Sequence, residues 1–236
     1  MLLCLDAGNT RLKYGIFDGR GWRVQKAADH AALEGLAATL PAAPERIVAC
    51  NVAGDAMRRR IEGLAATLGI PLDWLASTHA ACGVKNGYDN PQQLGADRWA
   101  ALIAARGLHE GPALVVMAGT ATTIDALDGD GVFRGGFILP GLALMRASLA
   151  RNTADLPHAA GHYRARPTNT DDAIVSGAIH ATLGAIERLH ATLDSDAPCL
   201  LSGGAAAELA PHMSLPCRLV DNLVLEGLAR YGRMNA

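Results

Sequence analysis

Apolar runs of strand length, each stopped by a short polar turn, recur along this chain, and two of them match. Residues 2–18, LLCLDAGNTRLKYGIFD, hold one apolar run, a Gly-containing turn and a second apolar run leading into Asp-Gly-X-Gly. Residues 114–128, LVVMAGTATTIDALD, repeat that order. The turns Asp6-Ala7-Gly8-Asn9-Thr10 and Met117-Ala118-Gly119-Thr120-Ala121 stand 111 residues apart, whereas the hairpin segments Asp18-Gly19-Arg20-Gly21 and Asp128-Gly129-Asp130-Gly131 stand 110 apart. Each copy predicts a strand, a tight turn, a second strand and an Asp-Gly hairpin into a third. One copy alone is compatible with an ordinary hairpin; two at near-constant spacing indicate two related lobes.

The remaining pattern alternates helix and strand, which predicts an α/β layered fold. A helix is expected from Ala31 to Leu40, ending before Pro41, then a buried strand at Ile47–Cys50. Ala56–Leu68 has helical spacing, with Met57, Ile61, Leu64 and Leu68 on one face and Arg58, Arg59 and Arg60 largely off it. Gly83–Pro91 reads as loop, and an apolar helix starts near Ala96. Gly111-Pro112 marks a lobe boundary, giving lobes 1–111 and 112–236. Beyond it come a glycine-rich strand and turn at Phe133–Gly141, a helix Leu142–Ala150, and a polar loop over 151–169. A helix Ala173–Leu193 capped by Thr170-Asp171-Asp172 follows, then a strand Cys199–Ser202 ending at Gly203-Gly204 and a helix starting at Ala205. A last strand at Arg218–Val220 and a helix Leu223–Tyr231 complete the chain.

Composition narrows the classes. Half of the 236 residues are hydrophobic but only 4% are aromatic, so aliphatic side chains must build the core. A formal charge of −2 gives no reason to expect nucleic acid or an anionic membrane as partner. Cys4, Cys50, Cys82, Cys199 and Cys217 are odd in number and contain no C-x-x-C pair, the pattern of reduced thiols in a cytoplasmic protein. Asp6 interrupts the apolar N-terminus before a secretory core could form, and no run of about 18 apolar residues predicts a membrane span.

The two turns are the first candidate chemistry. Backbone N–H groups and Thr hydroxyls at a strand end suit a polyphosphate. Neither turn is a Walker loop or G-x-G-x-x-G. The second candidate is Leu94-Gly95-Ala96-Asp97-Arg98. On position alone Asp97 is a helix-start acid favoured by the helix dipole, and Arg98 its surface neighbour. Gly203-Gly204, between a strand and a helix start, lets a ligand approach the backbone or is a plain turn. His158 and His162 are four apart, but Pro157 and Gly161 oppose a helix there and no carboxylate completes a zinc pattern.

Together these stretches resemble the type III pantothenate kinases of the sugar kinase, Hsp70 and actin superfamily. The resemblance rests on DAGNTRLKYG at 6–15, NGY at 86–88, GADRW at 95–99, GTATTID at 119–125, GGFILPG at 135–141, TADLP at 153–157, TDDAIVSG at 170–177 and LLSGG at 200–204. It implies two ribonuclease-H-like lobes with ATP in an interlobe cleft, a homodimer, and transfer of the γ-phosphate to the primary hydroxyl of pantothenate, which opens coenzyme A synthesis. It further implies that Asp6 holds Mg²⁺ and that the turn Asp6, Ala7, Gly8, Asn9, Thr10, Arg11, Leu12 and Lys13 contacts the phosphates. Thr120, with Gly203 and Gly204, would meet ATP from the second lobe. Asp97 would be the general base, with Tyr88, Gly95, Ala96 and Arg98 on pantothenate and Thr170 reaching the same pocket from a partner subunit.

One position departs from the family. The second turn usually opens with an Asp that ligates K⁺ or NH₄⁺, and here it is Met117. A soft, uncharged thioether does not replace a carboxylate for a hard cation, so either backbone carbonyls and other groups complete the site or the requirement is weakened; the expectation is a reduced potassium requirement. Two rivals share the fold: a non-catalytic transcription accessory protein, and a kinase or phosphatase for another small acid. Intact Asp6, Asp97, Arg98 and Thr120 weigh against the first, and the substrate-side motifs NGY and GADR against the second.

Overall fold

The duplicated pattern builds two sheets that share one five-strand order, the second carrying two short strands more. The computed structural model describes residues 1–153, 160–194 and 196–235. Its contacts divide the chain into two units, the first made of Met1–Glu110, Gly131–Phe133 and Asn222–Ala236, the second of Gly111–Asp130 and Arg134–Asp221.

In the first unit β1 (Leu2–Ala7), β2 (Leu12–Phe17) and β3 (Trp22–Ala28) form an antiparallel meander. A short helix α1 (Leu36–Thr39) leads to β4 (Arg46–Asn51), which pairs parallel to β1. Helix α2 (Asp55–Leu68) then crosses to β5 (Leu72–Trp74), giving the order β3-β2-β1-β4-β5. Alternation along the strands separates two faces. Leu3, Leu5, Ala7, Ile47 and Ala49 pack with Met57, Ile61, Leu64 and Ala65 of α2, while Leu68 is partly buried beside them. The opposite face carries Cys4, Asp6, Val48 and Cys50, all buried. It is covered by α3 (Ala96–Leu108) and by α7 (Leu223–Met234), the last helix of the chain. Two short strands, β6 (Ala80–Ala81) and β7 (Val84–Asn86), precede α3.

In the second unit β8 (Ala113–Ala118), β9 (Ala121–Leu127) and β10 (Val132–Pro140) repeat the meander. Helices α4 (Leu142–Asn152) and α5 (Thr170–His190) follow, then β11 (Cys199–Ser202) parallel to β8, α6 (Ala206–Leu209) and β12 (Cys217–Leu219) parallel to β11. The order β10-β9-β8-β11-β12 reproduces that of the first unit. Leu114, Val116, Ala118 and Ile124 form its core with Ile174, Val175, Ile179 and Leu183 of α5. This is the α/β, ribonuclease-H-like arrangement expected twice over.

Several expectations need correction. The lobes are not the linear 1–111 and 112–236, because residues of α7 group with the first unit. There α7 crosses α3 so closely that a Cβ at Gly227 would lie 1.9 Å from Ala100 O, a crossing only glycine admits. The helix expected over 31–40 breaks into a 3₁₀ turn, His30–Leu33, and α1, with Gly35 between them. The segment 83–91 is not all loop, since Lys85 and Asn86 of β7 pair with Val132 and Phe133. Helix α5 begins at Thr170, and its cap is Asn169, whose side-chain oxygen accepts from Asp172 N at 2.9 Å. Among the described residues no helix is long and apolar enough to cross a membrane.

Candidate functional site

Strand pairing assembles the first part of the site. Asp6 sits opposite Cys50 in the parallel β1–β4 register and opposite Lys13 in the antiparallel β1–β2 register. Its Oδ2 lies 3.6 Å from Lys13 Nζ, and its Oδ1 accepts a hydrogen bond from the Cys50 thiol at 3.6 Å. Only 4% of Asp6 is exposed. Burial pushes its pKa up; the Lys13 ammonium opposes this and the nearby charge of Asp97 adds to it. Burial and the Asp6 charge push the Cys50 thiol well above its ordinary range, so it remains a protonated donor. One enclosed carboxylate beside an open turn is the donor set through which Mg²⁺ is commonly held together with substrate phosphates.

Between β1 and β2 the chain turns through Gly8, Asn9, Thr10 and Arg11. Gly8 N donates to Arg11 O at 3.1 Å, and His30 Nε2 lies 2.8 Å from Gly8 O, which accepts. Ala7 and Leu12 are buried anchors, whereas Asn9, Thr10 and Arg11 are exposed at the tip.

Asp97 and Arg98 lie in the first turn of α3, after Gly95 and Ala96. Asp97 Oδ1 accepts from the Arg98 backbone N–H at 2.8 Å, and a Cβ at Gly95 would stand 2.6 Å from that oxygen. Arg98 is not the surface neighbour that position alone allows: it is 5% exposed. Its Nη1–H donates to Tyr88 Oη at 3.0 Å, and its guanidinium carbon lies 5.7 Å from the ring centres of both Tyr88 and Phe133. The first unit therefore gathers Asp6, Lys13, Cys50 and Asp97 on one side of the β1–β4 pair, and Tyr88, Arg98 and Phe133 in an aromatic cluster.

In the second unit the β8–β9 turn is one residue shorter. Ala118 pairs with Thr122 around Gly119, Thr120 and Ala121, and Gly119 N donates to Ala121 O at 3.0 Å. That missing residue is why the spacing of the two copies falls from 111 to 110. Gly141 N donates to Thr120 O at 2.9 Å, and a Cβ at Gly141 would meet Gly119 O at 2.1 Å. Gly203 has φ +104° and would place a Cβ 2.4 Å from Ala118 O; Gly204 follows it, exposed. Thr120, Gly203 and Gly204 thus surround one bend, whereas Thr170 is exposed at the start of α5. Met117, half-buried, pairs with Thr123 and Ser202, and its thioether side chain brings no hard oxygen to the turn.

The residues sequence reasoning missed are Cys50, Phe133 and Gly141. A lone cysteine in a buried strand gives no signal, Phe133 stood in a stretch read only as strand and turn, and Gly141 closed the GGFILPG motif without a role of its own. The His158–His162 pair is not described, because His158 lies outside the described residues. Among those described, no group of three or more His, Cys, Asp or Glu could hold a metal.

The family model of the type III pantothenate kinases matches residues 2–192. A type III pantothenate kinase of Aromatoleum aromaticum is 49% identical over 100% of this chain and 99% of its own. Among solved structures, a Campylobacter jejuni protein described as a Baf family transcriptional activator superposes with a TM-score of 0.67 at 22% identity, covering 99% of this chain and 98% of its own. A ROK hexokinase of Thermus thermophilus superposes with a TM-score of 0.54 at 16% identity, covering 100% and 99%. At such identities the structures speak for the fold alone, that of the sugar kinases and their actin-like relatives. The sequence match is far closer and runs the length of the chain, which belongs to the type III pantothenate kinase family.

Proposed function

We propose that this chain transfers the γ-phosphate of ATP to the primary hydroxyl of pantothenate, the first step of coenzyme A synthesis, with Asp97 as general base. The observation that carries the reading is the placement of Asp97 and Arg98 in the first turn of one helix, with Arg98 buried against Tyr88 and Phe133. Phosphoryl transfer asks the protein to position the hydroxyl, offset phosphate charge and accept one proton. Arg98, held by Tyr88, is a bidentate partner for the pantothenate carboxylate, with Gly95 and Ala96 leaving the backbone approachable. Asp97 takes the proton of the attacking hydroxyl.

The turn from Asp6 to Lys13 binds the phosphates through its backbone N–H groups and the Lys13 ammonium. Asp6 would hold Mg²⁺, which when bound neutralises charge on the β- and γ-oxygens. We assign Thr120, Gly203 and Gly204 to the nucleotide as well. The enzyme works as a cytoplasmic homodimer, with Thr170 reaching a partner's substrate site. Phe137, Ile138, Leu144 and Leu149, exposed apolar residues of β10 and α4, support the pairing. Asp6, Asp97, Arg98 and Thr120 are all present, and nothing favours a non-catalytic regulator.

ADP release in a coupled assay, measured with and without pantothenate, tests the proposal. Pantothenate-dependent turnover is the expected result. ADP release that ignores pantothenate, or none at all from folded protein, would overturn it.

A further inference from the structure

We propose that Phe133 is a positioning residue for the substrate carboxylate: its ring fixes how the Arg98 guanidinium is presented. The inference rests on the reading that Arg98 and Tyr88 bind pantothenate, and adds a residue 35 positions away in sequence that the reading does not use.

Val132 and Phe133 pair in parallel with Lys85 and Asn86, so the Phe133 carbonyl runs beside the chain entering Gly87. A Cβ at Gly87 would stand 2.1 Å from Phe133 O, an approach that only glycine allows. Asn86 shapes the same bend, its Oδ1 accepting from Tyr88 N at 3.1 Å and its Nδ2 donating to Pro91 O at 3.2 Å. The Asn86-Gly87-Tyr88 triplet is thereby explained one residue at a time. Asn86 closes the turn, Gly87 admits the neighbouring strand, and Tyr88 is brought against Phe133 with ring centres 5.1 Å apart at 41°.

Arg98 completes the cluster. Its guanidinium carbon is 5.7 Å from each ring centre, and Tyr88 Oη accepts from it. A guanidinium within about 6 Å of an aromatic face is attracted by the ring quadrupole, and more so where water is excluded. Phe133 is fully buried and Arg98 nearly so. An arginine on a flexible stem must lose several rotamers before it meets a carboxylate with both nitrogens. Two rings and one hydroxyl, anchored by backbone pairing, impose that loss before substrate arrives, which lowers the entropic cost of binding. Tyr88 offers the guanidinium one ring and a hydroxyl; Phe133 places a second ring beside it and packs against Tyr88.

The test is a double-mutant cycle on the full chain with Phe133→Leu, Arg98→Ala and both, read by steady-state kinetics and pantothenate calorimetry. Phe133→Leu is expected to raise the pantothenate KM roughly 3- to 30-fold, with kcat and the ATP KM within about twofold. In the Arg98→Ala background the same change should add less than about twofold, because the ring acts through the arginine. Phe133→Tyr, which keeps the ring face, should restore the KM, and Ile61→Ala, a buried change elsewhere in the unit, should lower stability without moving it. If Phe133→Leu does not fold, Phe133→Met serves in its place. Additive effects, or an unchanged KM in a folded Phe133 variant while Arg98→Ala raises it, overturn the positioning role and leave the substrate reading standing. An unchanged KM in Arg98→Ala removes the substrate reading and this proposal with it.

Discussion

The Cys50 thiol donates to Asp6 Oδ1 across 3.6 Å, joining two buried side chains directly opposite each other on parallel strands. An acid that is 4% exposed is costly as a carboxylate, and the thiol, with Lys13, offsets part of that cost. Burial and the acid beside it both keep the thiol protonated. Cys50 is therefore expected to resist maleimide at pH 7 to 8 in the folded protein and to react once urea unfolds it. Mapping the labelled peptides by mass spectrometry checks this, and labelling of Cys50 in native protein would contradict it.

Asp97→Asn keeps the side chain's shape and removes its capacity to take a proton. We expect kcat to fall by roughly 10² to 10⁴-fold. ATP binding, followed by calorimetry, should persist. Near-normal turnover by the folded variant would reject the general-base role.

Met117 opens the second turn, where the family resemblance implies an acid for a monovalent cation. Activity should depend only weakly on potassium when it is exchanged for an inert organic cation. Met117→Asp should increase the stimulation by potassium. Strict potassium activation of the parent enzyme would contradict the expectation.

Two adjacent glycines should behave differently. Gly203 has φ +104° and no room for a Cβ beside Ala118 O, whereas a Cβ at Gly204 meets nothing within 4 Å. Gly203→Ala is expected to cost about 2–4 kcal/mol in urea unfolding. Gly204→Ala should cost under about 1 kcal/mol. Equal losses would show that the turn relaxes around the added methyl.

Asp18 closes the first hairpin, accepting from Arg20 N and Gly21 N at 2.9 Å each and facing Arg23. Those backbone N–H groups hold its pKa below the ordinary aspartate value. A depressed folded-state pKa means that the unfolded chain takes up the proton first as pH falls. The stabilisation is present above the ordinary aspartate pKa and disappears as pH drops through the lower folded value. The difference in urea midpoint between Asp18→Asn and the parent should therefore shrink below that range. A difference that holds constant to low pH would show that charge is not its origin.

The two glycine-containing turns, the Asp-Gly hairpins and the α2 face were legible because each depends on neighbours within a few residues. Turn geometry follows from glycine and short polar side chains, and Met57, Ile61 and Leu64 share a face by helical period alone. The failures have two causes. The helix expected over 31–40 broke at Gly35, a local breaker, whereas β7 was missed because its partner, Val132–Phe133, lies far along the chain.

What the sequence determined by itself was the duplication, the α/β class and, through its motifs, the membership of a kinase family. Only the tertiary structure decided that Arg98 is buried against two rings, that Cys50 faces Asp6, and that α7 belongs with the first unit. Those facts arise from strand register and helix crossing, where residues tens to hundreds of positions apart meet. No local pattern encodes such distances, because each partner taken alone is an ordinary apolar or polar residue in an ordinary element.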